Sequence, residues 1–213
     1  MILTLGDSYT YGYELSNPTK DAWPVKLADS LACDVKNLGI PGGSNDRIFR
    51  LAVSELVRNT YDIVICAWTE VSRLDLTANG QEFQVTGASA WHHDRFPWIK
   101  EYYANHYSER HAVETWLTKV IALQEFFKAR KQKYIFVNMN CNWDHANYYK
   151  ELGLEHLVNS IDKTYYPGWD IGEGLSGWQG DCPKGPGGHP LELGHQRIAE
   201  KFYEHIRYLG WIS

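Results

Sequence analysis

The sequence predicts a three-layer α/β/α protein built on a doubly wound parallel sheet of about five strands with long loop insertions. Three observations predict it. Strand-length apolar runs recur along the chain and are separated by segments with helical spacing, the alternation that builds parallel sheets. One of these runs, Ile63-Val64-Ile65-Cys66-Ala67, is apolar throughout, as a central strand covered on both faces must be. Polar or glycine-rich turns follow the runs at their expected carboxyl ends, where ligands bind in such sheets.

Taken in order, Met1-Ile2-Leu3-Thr4-Leu5 reads as a short buried strand, and Gly6-Asp7-Ser8 as the loop leaving it. By itself that loop has two readings: a helix cap made by Asp or Ser, or a serine presented to a crevice. Residues 23–32 read as a helix with Pro24 in its first turn, and 34–38 as a second strand. The turn Gly39-Ile40-Pro41-Gly42-Gly43-Ser44 then feeds a helix over 45–58, capped by Ser44 or Asn45. Its glycine spacing matches neither dinucleotide nor Walker patterns. After the central strand, helical periodicity is lost over about 74–111, an insertion long enough to be functional. Spacing of Val113, Trp116, Val120, Leu123 and Phe127 restores a helix, and 134–139 forms the fourth strand. Residues 148–154 read as a short helix, 157–161 as a weak last strand, 162–188 as a long loop and 191–209 as the closing helix.

A chain of 213 residues suits a single domain, 1–213, carrying the insertion and the long loop. Net charge is −5 and the 21 Lys and Arg are scattered, which argues against a nucleic-acid partner. Apolar runs are strand-sized, far below the roughly 20 residues that span a bilayer, so no membrane partner is expected. No signal-peptide pattern precedes the first strand, which points to a cytoplasmic protein or one released by another route. Cys33, Cys66, Cys141 and Cys182 are widely spaced without a CxxC pair and read as structural thiols. His92, His93 and Asp94 are adjacent, and neighbouring side chains seldom converge on one ion, so neither a metal nor another cofactor is expected. The 9 Trp and 14 Tyr fall partly in predicted loops, favouring an aromatic-lined surface.

Acyl transfer needs a nucleophile, a base and donors for the oxyanion. Ser8 is the candidate nucleophile, His189 at the entry to the last helix the candidate base, and His145 a rival base on the same rim. Backbone N–H groups of Ser8 and Gly42 are the candidate oxyanion donors. Asp7, Trp68, Trp91 and Trp169 are candidate substrate contacts.

These residues resemble the SGNH (GDSL) hydrolases, in four blocks along the chain. Gly6-Asp7-Ser8 is similar to the nucleophile block, residues 37–44 to the block whose glycine, here Gly42, donates to the oxyanion, and His189-Pro190 with Gly194-His195 to the last block. The resemblance implies a flavodoxin-like sheet, an esterase with a serine nucleophile, His189 as general base and a structural His195. Two positions depart from it. The third block ends Ala67-Trp68-Thr69-Glu70, with Thr69 where the family has an oxyanion-donating Asn, and its hydroxyl is the expected substitute. Pro186 stands where the family has the Asp that orients the histidine. Asp181 is the candidate replacement, and a Ser8–His189 dyad held by a backbone carbonyl is the alternative. The expected function is hydrolysis of a small-molecule or glycan ester, with carbohydrate O-acetyl groups favoured by the aromatic loops. The competing functions are a carbohydrate- or polymer-binding protein that has lost catalysis, and metal-dependent chemistry at His92, His93 and Asp94.

Overall fold

The computed structural model describes residues 1–78, 81–86, 96–140, 145–170 and 172–212. Strands β1 (Ile2–Leu5), β2 (Val35–Asn37), β3 (Ile63–Trp68) and β6 (Tyr134–Asn138) form a parallel sheet in the order β2-β1-β3-β6. Every residue of β1, β3 and β6 is buried, which explains why these strands are apolar apart from Thr4 and Asn138. Side chains alternate between two cores. Leu3, Leu5, Val64, Cys66, Trp68 and Phe136 face α4 (Asn45–Arg58) and α6 (Glu109–Ala129). Ile2, Ile63, Ile65, Ala67, Ile135 and Val137 face α3 (Trp23–Ser30) and α10 (Glu192–Tyr208). The protein is therefore an α/β sandwich with helices on both faces, and its strand carboxyl ends open on one rim. Short helices α1 (Ser8–Tyr11) and α2 (Pro18–Asp21) lie between β1 and α3.

The fifth strand expected at 157–161 is absent, and among the described residues the sheet has four strands. That segment instead ends α8 (Glu155–Val158), which follows α7 (His145–Glu151), and leaves it in a turn. The reason is local: the N–H groups of Leu157, Val158, Asn159, Ser160 and Ile161 all donate to carbonyls three or four residues back. Gln124 of α6 holds the end of this turn, its side chain donating to the Ser160 carbonyl at 3.0 Å and accepting the Asp162 N–H at 2.7 Å. The N–H groups that a ladder would need are thus already bonded within the turn.

The 74–111 segment holds more order than its sequence suggests. It contains an antiparallel hairpin, β4 (Leu74–Ala78) with β5 (Gln81–Val85), and α5 (Pro97–Asn105). The hairpin is tied to α4 by Arg50, which pairs with Asp75 at 3.2 Å. The long loop at 162–188 contains a 3₁₀ turn (Lys163–Tyr165) and α9 (Leu175–Trp178). Its aromatics do not line a surface: Tyr166, Trp169 and Trp178 are 1%, 3% and 7% exposed. Trp169 stacks on Tyr149 at 5.8 Å and on Trp116 at 6.0 Å, so it closes a core and is not a substrate platform. Among the described residues the cysteines Cys33, Cys66 and Cys182 are free, and no helix is long and apolar enough to cross a membrane.

His195 ties α10 to α3. Fully buried, its Nδ1 accepts the Trp23 N–H at 3.1 Å, satisfying a donor that the first turn of α3 would leave orphaned. Burial pushes its pKa down to about 4. The unfolded chain therefore takes up a proton below about pH 6.5 that the folded chain refuses until about pH 4, so acid favours unfolding across that window. Loss of about 3 kcal/mol of stability is expected between its ends. Urea unfolding at pH 7 and pH 4.5 checks this against His195→Asn, which keeps an acceptor for Trp23 without a titrating ring. A variant with the same pH slope as wild type would remove His195 as the cause.

Candidate active site

The rim at the strand carboxyl ends is assembled by close backbone contact. β1 ends at Leu5, and Asp7 caps α1, its carboxylate accepting the Tyr9 N–H at 3.0 Å. The cap reading of Gly6-Asp7-Ser8 holds, and the capped turn makes Ser8 the first residue of α1. A Cβ on Gly6 would stand 2.1 Å from the Thr10 hydroxyl, and one on Gly43 would stand 2.9 Å from the Gly6 carbonyl. The glycine-rich turn at 39–43 thus lies directly against the Ser8 loop, and Ile40 N–H bonds the Gly6 carbonyl at 3.3 Å. Gly42 takes a left-handed φ of +75°, which glycine adopts without penalty. Ser8, first in its helix, has no intrahelical acceptor for its N–H.

Across the rim, Ser8 Oγ lies 2.8 Å from Nε2 of His189. On the other side of the ring, Nδ1 lies 3.1 Å from the carboxylate of Glu14. That carboxylate also accepts the backbone N–H of His189 at 3.0 Å and of Gly187. Glu14 is held below the usual carboxylate range, chiefly by the Gly187 N–H and then by the backbone N–H and ring of His189, against the opposing effect of burial. An ionised Glu14 on Nδ1 fixes the proton there and leaves Nε2 to accept from Ser8. The imidazole sits between Tyr9 and Tyr13, at centroid distances of 5.5 and 5.1 Å.

The position facing Nδ1 therefore belongs to Glu14 and not to Asp181 or a backbone carbonyl. Asp181 is exposed, and its described contact is a backbone one, its carbonyl accepting from Arg197 at 2.9 Å. The glycines before His189 acquire a reason. A Cβ on Gly185 would come within 2.8 Å of the Glu14 carboxyl group and one on Gly187 within 3.0 Å, so the loop must be bare to wrap it. Glu14 itself has φ +70°, a conformation costly for a residue with a side chain and common where a site demands it. Sequence reasoning missed it because 175 residues separate it from His189, and only the vacancy at Pro186 signalled that an acid had to come from elsewhere.

Three other expectations change. The Thr69 hydroxyl donates to Asp7 Oδ2 at 3.0 Å, so its single proton is committed and cannot also serve an oxyanion. Asp7 is fully buried, held by Thr69, by the Tyr9 N–H and by Arg73 at 3.0 Å, and so is no substrate contact. Burial pushes its carboxyl up, while Arg73 foremost opposes it. Trp68 has no exposed surface and packs edge-on against Phe136 at 5.5 Å. Trp91, His92, His93 and Asp94 lie outside the described residues, as does the side chain of His145. Among the described residues no cluster of three or more His, Cys, Asp or Glu is placed to hold a metal.

Solved structures share this fold over nearly the whole chain. TesA aligns with a TM-score of 0.59 at 14% identity, covering 98% of each chain. The esterase EstA from Pseudoalteromonas sp., solved with monoethylphosphonate as inhibitor, aligns at 0.55 and 15%, covering 99% of this chain and 98% of its own. A lipolytic protein of the G-D-S-L family from Desulfitobacterium hafniense aligns at 0.54 and 16%, covering 96% and 98%. At these identities the likeness is one of fold. No curated protein sequence matches the chain. One family model matches residues 16–213, a span that contains Gly42, Thr69 and His189 and begins after Ser8 and Glu14. The chain belongs to that family, the family of unknown function DUF6071.

Proposed function

We propose that the protein is a serine ester hydrolase working through an acyl-enzyme on Ser8. The observation that carries this reading is the unbroken Ser8–His189–Glu14 relay, with contacts of 2.8 and 3.1 Å. Ser8 Oγ attacks the ester carbonyl while His189 Nε2 takes its proton. His189 then returns that proton to the departing alcohol, and the same base activates water to release the acid. Glu14 keeps the imidazole in the required tautomer and offsets the charge of the imidazolium. The N–H groups of Ser8 and Gly42 receive the oxyanion. A binding protein would have no use for a carboxylate held at Nδ1 by a strained backbone.

The experiment is labelling with a fluorophosphonate together with hydrolysis of p-nitrophenyl acetate. Wild type is expected to label and turn over, and Ser8→Ala to do neither. Wild type indistinguishable from the Ser8→Ala background would sink the esterase reading in favour of binding.

Within this reading the favoured substrates are carbohydrate O-acetyl esters. The support now comes from Tyr11 and Tyr13, 41% and 46% exposed, with Tyr13 edge-on to His189. An aromatic face beside the base suits stacking against a sugar ring. Tyr13→Ala is expected to raise KM for an acetylated sugar by about tenfold, the loss of roughly 1.4 kcal/mol of contact, with little effect on p-nitrophenyl acetate. Equal KM values for the acetylated sugar in both proteins would remove Tyr13 from that role.

A further inference from the structure

We propose that Arg73 is the positioning residue of the oxyanion hole, acting through Asp7 and Gly43. The proposal rests on the esterase reading above. With the Thr69 hydroxyl bonded to Asp7 at 3.0 Å, the third oxyanion donor expected from the sequence is unavailable. The backbone of Thr69 is fixed as well: its N–H and carbonyl bond the two ends of the Asn45 amide at 2.8 and 3.0 Å.

Arg73 approaches the same place from the entry to the insertion. Its Nη1 donates to Asp7 Oδ2 at 3.0 Å and reaches the Gly43 carbonyl at 3.5 Å. Asp7 directly precedes Ser8, and Gly43 directly follows Gly42, so one guanidinium holds the neighbours of both backbone donors. The arginine is itself prearranged. Its N–H closes a turn onto the Glu70 carbonyl at 3.2 Å, and the Tyr103 hydroxyl bonds the Ser72 carbonyl at 2.5 Å.

Charge gives a second reason. Asp7 has no exposed side-chain surface and Arg73 only 12%, so water screens their pairing little. A carboxylate one residue from the nucleophile opposes negative charge developing on the substrate. Arg73 cancels that opposition, and arginine remains charged at any working pH. A single nitrogen, Nη1, makes both contacts, with one of its N–H bonds for each acceptor.

Arg73→Met is expected to lower kcat on p-nitrophenyl acetate by about 30-fold or more with KM nearly unchanged, because the arrangement matters most when the oxyanion forms. Arg73→Lys is expected to fall between the two, and added guanidinium to restore rate to Arg73→Gly. A folded Arg73→Met with wild-type kcat, or one altered in KM alone, would overturn the proposal. Should Arg73→Met fail to fold, the pair Asp7→Asn/Arg73→Met removes both buried charges together. Reduced kcat in that folded pair supports the role, and wild-type kcat overturns it. Wild type that neither labels with fluorophosphonate nor turns over brings down the esterase reading and this role with it. Active wild type beside unimpaired Arg73 variants brings down this role alone.

Discussion

Ser8→Ala lowers kcat on p-nitrophenyl acetate by about 10⁴-fold or more, and His189→Ala does nearly the same. The double variant falls no further. Oγ and Nε2 at 2.8 Å act as one device, since a nucleophile without its base and a base without its nucleophile both leave the proton in place. What survives comes from binding and from the backbone N–H groups of Ser8 and Gly42, which neither substitution removes. Steady-state kinetics of the four proteins check this. Additive losses would mean that His189 acts on something other than the Ser8 proton. Ser8→Ala retaining a tenth of wild-type turnover would move the nucleophile elsewhere.

Glu14→Gln lowers kcat by about 10²- to 10⁴-fold, whereas Asp181→Asn leaves it within about a factor of two. An amide at position 14 has one oxygen for the donors that the carboxylate now serves, namely the N–H groups of Gly187 and His189 and the ring Nδ1. If its NH₂ group turns to Nδ1, the imidazole carries its proton on Nε2 and meets Ser8 with a donor where an acceptor is needed. Glu14→Gly separates chemistry from folding. Glycine accepts the +70° backbone of Glu14 without strain, so the backbone conformation is kept while the carboxylate is gone. Activity matching Glu14→Gln in both variants assigns the loss to the missing charge. Full activity in Glu14→Gln together with a loss in Asp181→Asn would return the acid to Asp181.

Much of this was legible one residue at a time. The unbroken apolar run of β3 required a strand covered on both faces, and the 3.6-residue spacing of α4, α6 and α10 required helices with one buried side. Ser8, Gly42 and His189 could be named because each lies just after a strand or just before a helix and because their blocks resemble those of the SGNH hydrolases. Local pattern misled where the folded surroundings overrode it. Residues 157–161 have the composition of a strand, but their N–H groups close local turns that Gln124 pins at Ser160 and Asp162. Trp169 sits in a glycine- and proline-rich loop, yet that loop folds over α6 and buries it against Trp116 and Tyr149.

The sequence by itself determined the parallel sheet, its helices and the loops that hold Ser8, Gly42 and His189, because burial on both faces and local chain geometry leave their mark within short windows. Tertiary structure alone decided the partners of those residues: that Glu14 faces His189, that the Thr69 proton goes to Asp7, and that Arg73 joins Asp7 to Gly43. A hydrogen bond across 175 residues carries no periodicity and demands no residue type beyond an acceptor, so nothing short of the folded chain singles Glu14 out.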